Sequence, residues 1–153
     1  MYSHVRTTSE NIDFIKLVQS LDKELSIRNG DKDAFYAQFN KIDLIKNVVL
    51  YYADQTPVGC GAFKEFSQKQ VEIKRMYVLP AFRKHGIASA VLEQLEVWAY
   101  ELGYNSCVLE TGIMLPEAIQ LYQKHGYQRI PNFGQYKGVD ESVCFEKSLN
   151  MAY

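Results

Sequence analysis

A short basic segment with one glycine, residues 83–88 (Arg-Lys-His-Gly-Ile-Ala), carries the residue types best suited to binding an anionic ligand. It lies between an apolar, strand-like run at residues 71–79 and an amphipathic helix pattern at residues 87–102. A helix start offers unpaired backbone N–H groups and the positive end of the helix dipole, and Gly86 lets the backbone approach a ligand closely. We therefore predict that this loop binds a diphosphate group.

Cysteine and histidine side chains are few and scattered along the chain: Cys60, Cys107, Cys144, His4, His85 and His125. The cysteine count is odd, no pair has the spacing of metal ligands, and each cysteine falls in a strand-like run. We therefore expect the cysteines to be small buried apolar residues without a redox or nucleophilic role. The histidine spacing gives no zinc pattern.

Two glycines at residues 59 and 61 begin like a dinucleotide-binding fingerprint, but the third glycine is missing. The run also lies inside a strand pattern instead of opening a helix, so it fails both tests for that motif. Glycines inside a strand more often mark a bulge or a close approach of another element.

The elements that position the basic loop follow from the spacing of apolar residues. In the first helix, apolar residues recur every three or four positions, at 12, 15, 18, 21 and 25, which is the spacing of a helix. Residues 54–57 indicate a hairpin turn. The N-terminal half is thus predicted to contain a strand at 2–8, helices at 11–28 and 33–39, and strands at 47–53, 58–66 and 70–79.

The C-terminal half alternates helices and strands, and Gly103 is placed to end its long helix in a left-handed conformation. The connection at residues 131–142 is rich in Gly, Pro and aromatic residues, which predicts a mobile loop. The predicted elements are helices at 86–102 and from Pro116 to near Gly126, and strands at 107–110, 127–130 and 143–147. Hairpin-linked strands followed by crossover helices indicate an α/β domain.

Composition narrows the classes of protein to which the chain can belong. Its 153 residues suit one domain with a sizeable core, and its 47% hydrophobic and 23% charged residues are those of an ordinary globular protein. A net charge of −1 argues against a nucleic-acid surface. No apolar run approaches the ~20 residues that span a bilayer, and residues 1–6 lack the apolar stretch of a signal peptide. We therefore expect a cytoplasmic location.

Residues 83–88 have the form R-x-x-G-x-A and, with their flanking elements, resemble the acyl-CoA-binding motif of the GNAT superfamily of N-acetyltransferases. Further features occur in the order found in that family. A strand at residues 72–78 precedes the loop, the following helix closes at Gly103, and a strand at residues 107–110 comes next. Residues 118–127 are similar to the family pattern A-x-x-x-Y-x-K-x-G-F. The resemblance covers residues 47–147 well and the N-terminal third loosely.

This resemblance implies an α/β fold with a single GNAT-like domain over residues 1–153, a mixed central sheet and flanking helices. It implies acetyl-CoA as cosubstrate and no metal, with the cofactor held between splayed parallel strands at residues 70–79 and 105–111. Many relatives carry an asparagine where this chain has Leu115, so that side-chain contact to the cofactor is not expected. The cofactor-binding residues implied are Met76, Tyr77, Val78, Arg83, Lys84, His85, Gly86, Ile87, Ala88 and Ser89.

The same resemblance implies direct acetyl transfer within a ternary complex, with no acetylated enzyme. Tyr122 occupies the position of the family's proton donor, and a phenol with a pKa of ~10 stays protonated at neutral pH; alternatively, it is a core tyrosine with its hydroxyl at the rim. Glu72 is the candidate base, although it could instead face solvent, and Glu110 or a water chain are the alternatives. The Met76 N–H is the implied donor to the thioester oxygen.

The acceptor is predicted to be a primary amine on a small metabolite. A protein lysine or N-terminus, and a non-catalytic module that senses acetyl-CoA, are the alternatives. Lys74 and Arg75 could hold an acceptor carboxylate, but solvated strand charges are the favoured interpretation. The expected partner is a small amine, without nucleic acid or membrane. Homodimers are common among similar proteins, and the sequence leaves the oligomeric state open. Candidate acceptor-binding residues are Arg28, Asn29, Asp31, Tyr36, Phe39, Phe133, Tyr136 and Lys137.

Overall fold

The computed structural model describes residues 1–29 and 44–150, except the side chains of residues 28 and 29. The predicted helices and strands in these ranges are confirmed, with ends that differ by at most two residues. The predicted helix at residues 33–39 lies outside them. In chain order the elements are β1 (Tyr2–Thr7), α1 (Ile12–Asn29), β2 (Asn47–Ala53), β3 (Thr56–Ser67), β4 (Gln70–Val78), α2 (Ile87–Glu101), β5 (Ser106–Gly112), α3 (Pro116–Lys124), β6 (Gln128–Ile130) and β7 (Ser142–Ser148).

The strands form a seven-stranded mixed sheet in the order β1-β2-β3-β4-β5-β7-β6. Only β4 and β5 run parallel among the described pairs. One apolar cluster joins α1 to the sheet, and a larger cluster joins α2 and α3 to the opposite face. The predicted α/β fold with a mixed sheet and flanking helices is therefore confirmed.

The two parallel strands separate after a short contact. Residues Gln70, Val71 and Glu72 of β4 pair with Ser106, Cys107 and Val108 of β5, and no later positions of these strands pair with each other. Six residues of β4 and four of β5 continue beyond that point. The splay predicted for residues 70–79 and 105–111 is confirmed, and it leaves an opening between two strands in the middle of the sheet.

A bulge lies in β4 beside this opening. The register of β3 and β4 shifts between the pairs Cys60–Tyr77 and Ala62–Lys74, so two residues of β4 face Gly61. Arg75, at the bulge, has a left-handed backbone with φ of +60°. A bulge changes which face the following side chains occupy. Arg75 consequently reaches α1, as Tyr77 does.

Gly61 also permits the closest packing of α2 on the sheet. A Cβ at this position would lie 2.6 Å from Met76 Sδ and 2.8 Å from both Val91 and Leu95 of α2. A Cβ at Gly59 would lie 2.8 Å from Ile87. Both interpretations of the strand glycines, a bulge and a close approach, are thus confirmed.

We expect Gly61→Ala to lower the free energy of unfolding by about 1–3 kcal/mol, because a methyl group there overpacks the contact between β3 and α2. Gly112→Ala is the matched control, since its Cβ would meet Leu115 at an ordinary 3.5 Å. Urea denaturation of both variants measures the difference. Equal stability losses would contradict the proposed close packing at Gly61.

The helix α1 packs on the sheet through Val18, Leu21 and Leu25 of the predicted pattern, and through Phe14 and Leu17 beside them. Phe14, Leu17, Val18 and Leu21 are buried, whereas Ile12 is 62% exposed. At its N-terminal end the buried face is displaced from Ile12 toward Phe14, which buries a large aromatic side chain. In the described residues, no helix has the length and apolar character needed to cross a bilayer.

The connection at residues 131–142 is packed, contrary to the prediction of a mobile loop. It contains a short 3₁₀ turn at Gly134–Tyr136. The Asn132 amide donates to the carbonyl oxygens of Tyr136, Val139 and Ser142 at 3.0–3.1 Å. Tyr136 is only 3% exposed. One side-chain amide therefore ties three points of the connection together, which composition could not reveal.

Candidate active site

The basic loop joins the open end of β4 to the start of α2. A 3₁₀ turn at Pro80–Phe82 precedes it, and Gly86 forms the N-cap of α2 with φ of +78°. Among the described residues, no side chain caps this helix start. The first backbone N–H groups of α2 are therefore available to an anion, as the sequence predicts.

Arg83 stabilises the loop through contacts inside the protein. Its Nε donates to the Val78 carbonyl at 2.9 Å, and its Nη2 binds Glu24 of α1 at 2.8 Å. The guanidinium also lies 5.5 Å from the centre of the Tyr77 ring. Arg83 thus links β4, the loop and α1, and its positive charge is partly compensated.

The other residues predicted to bind the cofactor differ in how exposed they are. Lys84, His85 and Gly86 are exposed, and Lys84 has a left-handed backbone with φ of +68°. Met76, Ala88 and Ser89 are half-buried, while Tyr77, Val78 and Ile87 are buried in the apolar clusters. Ser89 Oγ also lies 2.9 Å from His125 Nε2 at the end of α3. Contacts from the buried members to a cofactor would therefore come mainly from their backbone.

Tyr122 lies on α3 and is buried. Its ring packs edge-on against Tyr127, with 5.7 Å between ring centres. Burial raises the pKa of Tyr122 well above its usual value of 10.0, and the nearby negative charge of Glu110 raises it further. Among the hydrogen bonds of the described residues, none involves the Tyr122 hydroxyl. Tyr122 is thus a protonated phenol within electrostatic reach of Glu110.

Glu110 lies on β5, two residues beyond Val108, where β5 has already separated from β4. Its Oε2 accepts a 2.7 Å hydrogen bond from Ser142 Oγ on β7. Burial is the main cause that raises its pKa to about 7, whereas the Ser142 hydrogen bond and Lys74 lower it and Glu72 raises it. A carboxyl group that titrates near neutrality is well matched to accepting a proton.

Glu72 is buried on β4 at the last parallel pair, so it does not face solvent. Its Oε2 lies 3.9 Å from Lys74 Nζ. Burial raises its pKa, and the charges of Lys74 and Lys64 oppose that shift. Glu72 and Glu110 are therefore two carboxyl groups on either side of the opening between β4 and β5.

Lys74 and Arg75 are not solvated strand charges, contrary to the favoured interpretation of the sequence. Their side chains are only 10% and 3% exposed. Burial lowers the pKa of Lys74, which the charge of Glu72 partly opposes. The sequence pattern could not show this, because Arg75 is placed by the bulge and its contact with α1, and Lys74 lies beside Glu72.

Ser142 is a residue of this site that sequence reasoning missed. Its contact with Glu110 depends on the antiparallel register of β5 and β7, in which Gly112 pairs with Ser142. Tyr136, which the sequence did indicate, is buried close enough for Glu110 and Glu72 to raise its pKa, after burial itself. No local sequence signal marks Ser142.

Among the remaining acceptor candidates, Phe133 packs against Phe66, with 4.8 Å between ring centres. Lys137 follows the short turn that contains Tyr136. The side chains of Arg28 and Asn29, and residues Asp31, Tyr36 and Phe39, lie outside the described part of the structure.

All three cysteines are free and buried, as predicted. Burial raises the pKa of Cys60 and of Cys107 to about 12. Neither thiol is therefore a ready nucleophile at neutral pH. Within residues 1–29 and 44–150, no group of three His, Cys, Asp or Glu side chains has a metal-binding arrangement.

Comparisons with known proteins agree with this geometry. The sequence profile of the family described as Acetyltransferase (GNAT) matches residues 15–127. A protein named IAA acetyltransferase, from Azospirillum brasilense, is 31% identical over 143 residues, which cover 88% of this chain and 90% of the relative. A Klebsiella pneumoniae crystal structure titled as an acyl-CoA N-acyltransferase superposes with a TM-score of 0.81 at 28% identity, covering 98% of this chain and 99% of the other.

A second crystal structure shares the fold with a bound ligand. It is a GNAT family acetyltransferase from Elizabethkingia anophelis with acetyl-CoA bound. It superposes with a TM-score of 0.59 at 20% identity, over 67% of this chain and 76% of that chain.

Proposed function

The chain belongs to the GNAT family of acetyltransferases and is an acetyl-CoA-dependent acyltransferase, and from that premise we propose that it acetylates a primary amine of a small metabolite. The observation that carries this proposal is the opening between β4 and β5, which leads directly to an uncapped helix start. A ligand with a diphosphate at one end and an extended amide chain at the other fits such a path.

Acetyl-CoA would bind mainly through the backbone. The N–H groups at residues 84–89 would receive the pyrophosphate, assisted by the positive end of α2. The part of β4 beyond Glu72, including Met76 and Val78, has no partner strand on its β5 side. The pantetheine amides can therefore hydrogen-bond there as an added strand does. Arg83 would hold the loop in this shape through its contacts with Val78 and Glu24.

Besides a base, the transfer then needs two protein groups near the separation of the strands. The neutral amine nitrogen attacks the thioester carbonyl carbon, and the Met76 N–H stabilises the oxygen as it becomes negative. The C–S bond then breaks and Tyr122 donates its proton to the departing thiolate. The newly bonded nitrogen loses its surplus proton, and a water molecule carries that proton back to the Tyr122 oxygen. Holding both reactants together supplies much of the rate, so no acetylated residue is required.

Glu110 is the better supported of the two candidate bases. An ammonium acceptor must lose a proton before it attacks, because an alkylamine has a pKa of ~10.4. Glu110 has a pKa of about 7 and is fixed by Ser142. Glu72 faces the same opening and remains the alternative, with Lys74 beside it. Glu72 is buried and Glu110 is half-buried, which supports a small acceptor, since a bulky one would reach them poorly.

Release of free thiol from acetyl-CoA across a panel of amines, polyamines, amino acids and peptides tests this proposal. We expect at least one small amine to accelerate release above the background of hydrolysis, with acetyl-CoA binding seen by calorimetry. Acceleration only by peptides would favour a protein substrate. Binding of acetyl-CoA with no acceleration by any acceptor would contradict the proposed transfer to an amine.

A further inference from the structure

Arg75 has a buried nitrogen that the protein does not satisfy. Its Nη1 binds Asp22 of α1 at 2.8 Å. Its Nη2 is the only buried side-chain nitrogen or oxygen of the described residues that has no hydrogen-bond partner. Such an unmade hydrogen bond on a charged group is costly, and native proteins rarely leave one. The nitrogen therefore suits a ligand that supplies the missing acceptor.

The position of Arg75 relates this nitrogen to the proposed transfer site. Residues 71 and 73 of β4 pack toward α2, so Glu72 and Lys74 face the α1 side. The bulge turns Arg75 to that same side, next to Lys74. Lys74 interacts electrostatically with Arg75, Glu72 and Glu110. Cationic and carboxylate groups thus meet on one face, beside the opening between β4 and β5.

We propose that the acceptor amine also carries a carboxylate, which the Nη2 of Arg75 binds while the amine lies beside Glu110. This inference rests on the proposed function and names the substrate class of the same site. A carboxylate can accept hydrogen bonds from a guanidinium in its plane, and Lys74 adds a second positive charge. One unpaired nitrogen matches a singly charged group better than a doubly charged phosphate.

The pair Arg75–Asp22 also gives a route to this nitrogen. The Arg75 side chain is 3% exposed, whereas that of Asp22 is 46% exposed. The half-exposed Asp22 side chain therefore lies between the buried guanidinium and solvent. A small rotation about its contact with Asp22 would present Nη2 to an acceptor, while Asp22 continues to hold Nη1.

The direct test compares amino acids with their primary carboxamides and with the matching amines that lack the carboxyl group. We expect the preferred acid to have a kcat/KM at least 10-fold above its amide, measured by thiol release with saturating acetyl-CoA. Equal kcat/KM values for acids and amides would overturn the carboxylate site and leave the amine acetyltransferase intact. Turnover with no member of the panel would instead count against the proposed function itself.

Two variants test whether Arg75 is the source of the preference for acids over amides. Arg75→Gln should reduce the acid-to-amide ratio by roughly 10-fold or more, the range expected for a lost charge-assisted hydrogen bond. Arg75→Lys keeps the charge but loses the second nitrogen, so the ratio should fall partway. Arg6→Gln is the matched control, because both terminal nitrogens of Arg6 already bind Glu101 at 2.8 and 3.1 Å.

Each outcome with these variants decides the proposal. A folded Arg75→Gln protein that keeps the wild-type ratio of acid to amide would overturn it. Were this variant to lose its fold, Arg75→Lys and the wild-type comparison would still test the site. If the acid-to-amide ratio of kcat/KM fell equally in Arg6→Gln, the preference for acids would not come from Arg75.

Discussion

Tyr122→Phe should lower kcat by roughly 10²–10⁴-fold and leave the affinity for acetyl-CoA unchanged within a factor of about three. The substitution removes one hydroxyl from a buried ring whose packing against Tyr127 is retained. In our account that hydroxyl protonates the thiolate of CoA as it leaves. Its raised pKa keeps it protonated throughout the working range of pH.

Thiol release under saturating acetyl-CoA gives kcat, and calorimetry gives the affinity for the cofactor. Tyr104→Phe is a matched control, since its hydroxyl binds the exposed Glu65 at 2.8 Å and lies away from the opening between the strands. Tyr104→Phe should keep the wild-type rate. A Tyr122→Phe protein with an unchanged kcat would remove Tyr122 as the proton donor and favour the interpretation of a core tyrosine.

Glu110→Gln should lower kcat/KM by roughly 10²-fold at pH 8 and abolish the rise of activity through pH 7. In our proposal the carboxylate form of Glu110 is the proton acceptor, and this form is present above its pKa of about 7. The rate should therefore fall about tenfold per pH unit below that value. Glutamine keeps the shape and can still accept the Ser142 hydrogen bond, but it takes up no proton.

The pH profile of thiol release for wild type, Glu110→Gln and Glu72→Gln tests this assignment. We expect Glu72→Gln to shift the rising limb to lower pH, because the negative charge of Glu72 raises the pKa of Glu110. A Glu110→Gln profile that keeps the wild-type limb would contradict the role of Glu110. Loss of the limb in Glu72→Gln alone would assign the base to Glu72.

Stability should change in the opposite direction to activity. The pKa of Glu110 is raised in the folded protein from 4.5 to about 7, so the folded state binds its proton more tightly than the unfolded chain. This contribution is fully present below the unfolded pKa and is lost as the pH rises toward 7. Glu110→Gln should therefore be more stable than the wild type at pH 8, by about 1–3 kcal/mol.

The arrangement of elements was predictable because each has a local signature. Alternation and turn residues marked the β2–β3 hairpin, and Gly103, with φ of +96°, ends α2 in the left-handed conformation that its position predicted. The spacing placed Val18, Leu21 and Leu25 on the buried face of α1, but it did not reveal that Phe14 is buried where Ile12 is exposed. Local sequence signals thus predict the helices and strands, and tertiary packing determines which residues of each are buried.

The chemistry of the site was predictable only in part. Tyr122 and the loop at residues 83–88 carry motifs, so their positions followed from the sequence. The position of the Glu110 carboxyl group depends on its hydrogen bond from Ser142, which the register of β5 and β7 brings close. The burial of Arg75 depends on a bulge opposite Gly61. Both are pairings between distant segments, which a single sequence does not encode in any local pattern.

We propose that acetyl-CoA lies in the opening between β4 and β5, with its pyrophosphate on the N–H groups that begin α2. A crystal structure of the protein with acetyl-CoA tests it directly. We predict the pyrophosphate within hydrogen-bond distance of the backbone at residues 84–89 and the thioester between Met76 and Tyr122. Acetyl-CoA bound elsewhere, with that loop and the opening empty at saturating ligand, would contradict the account.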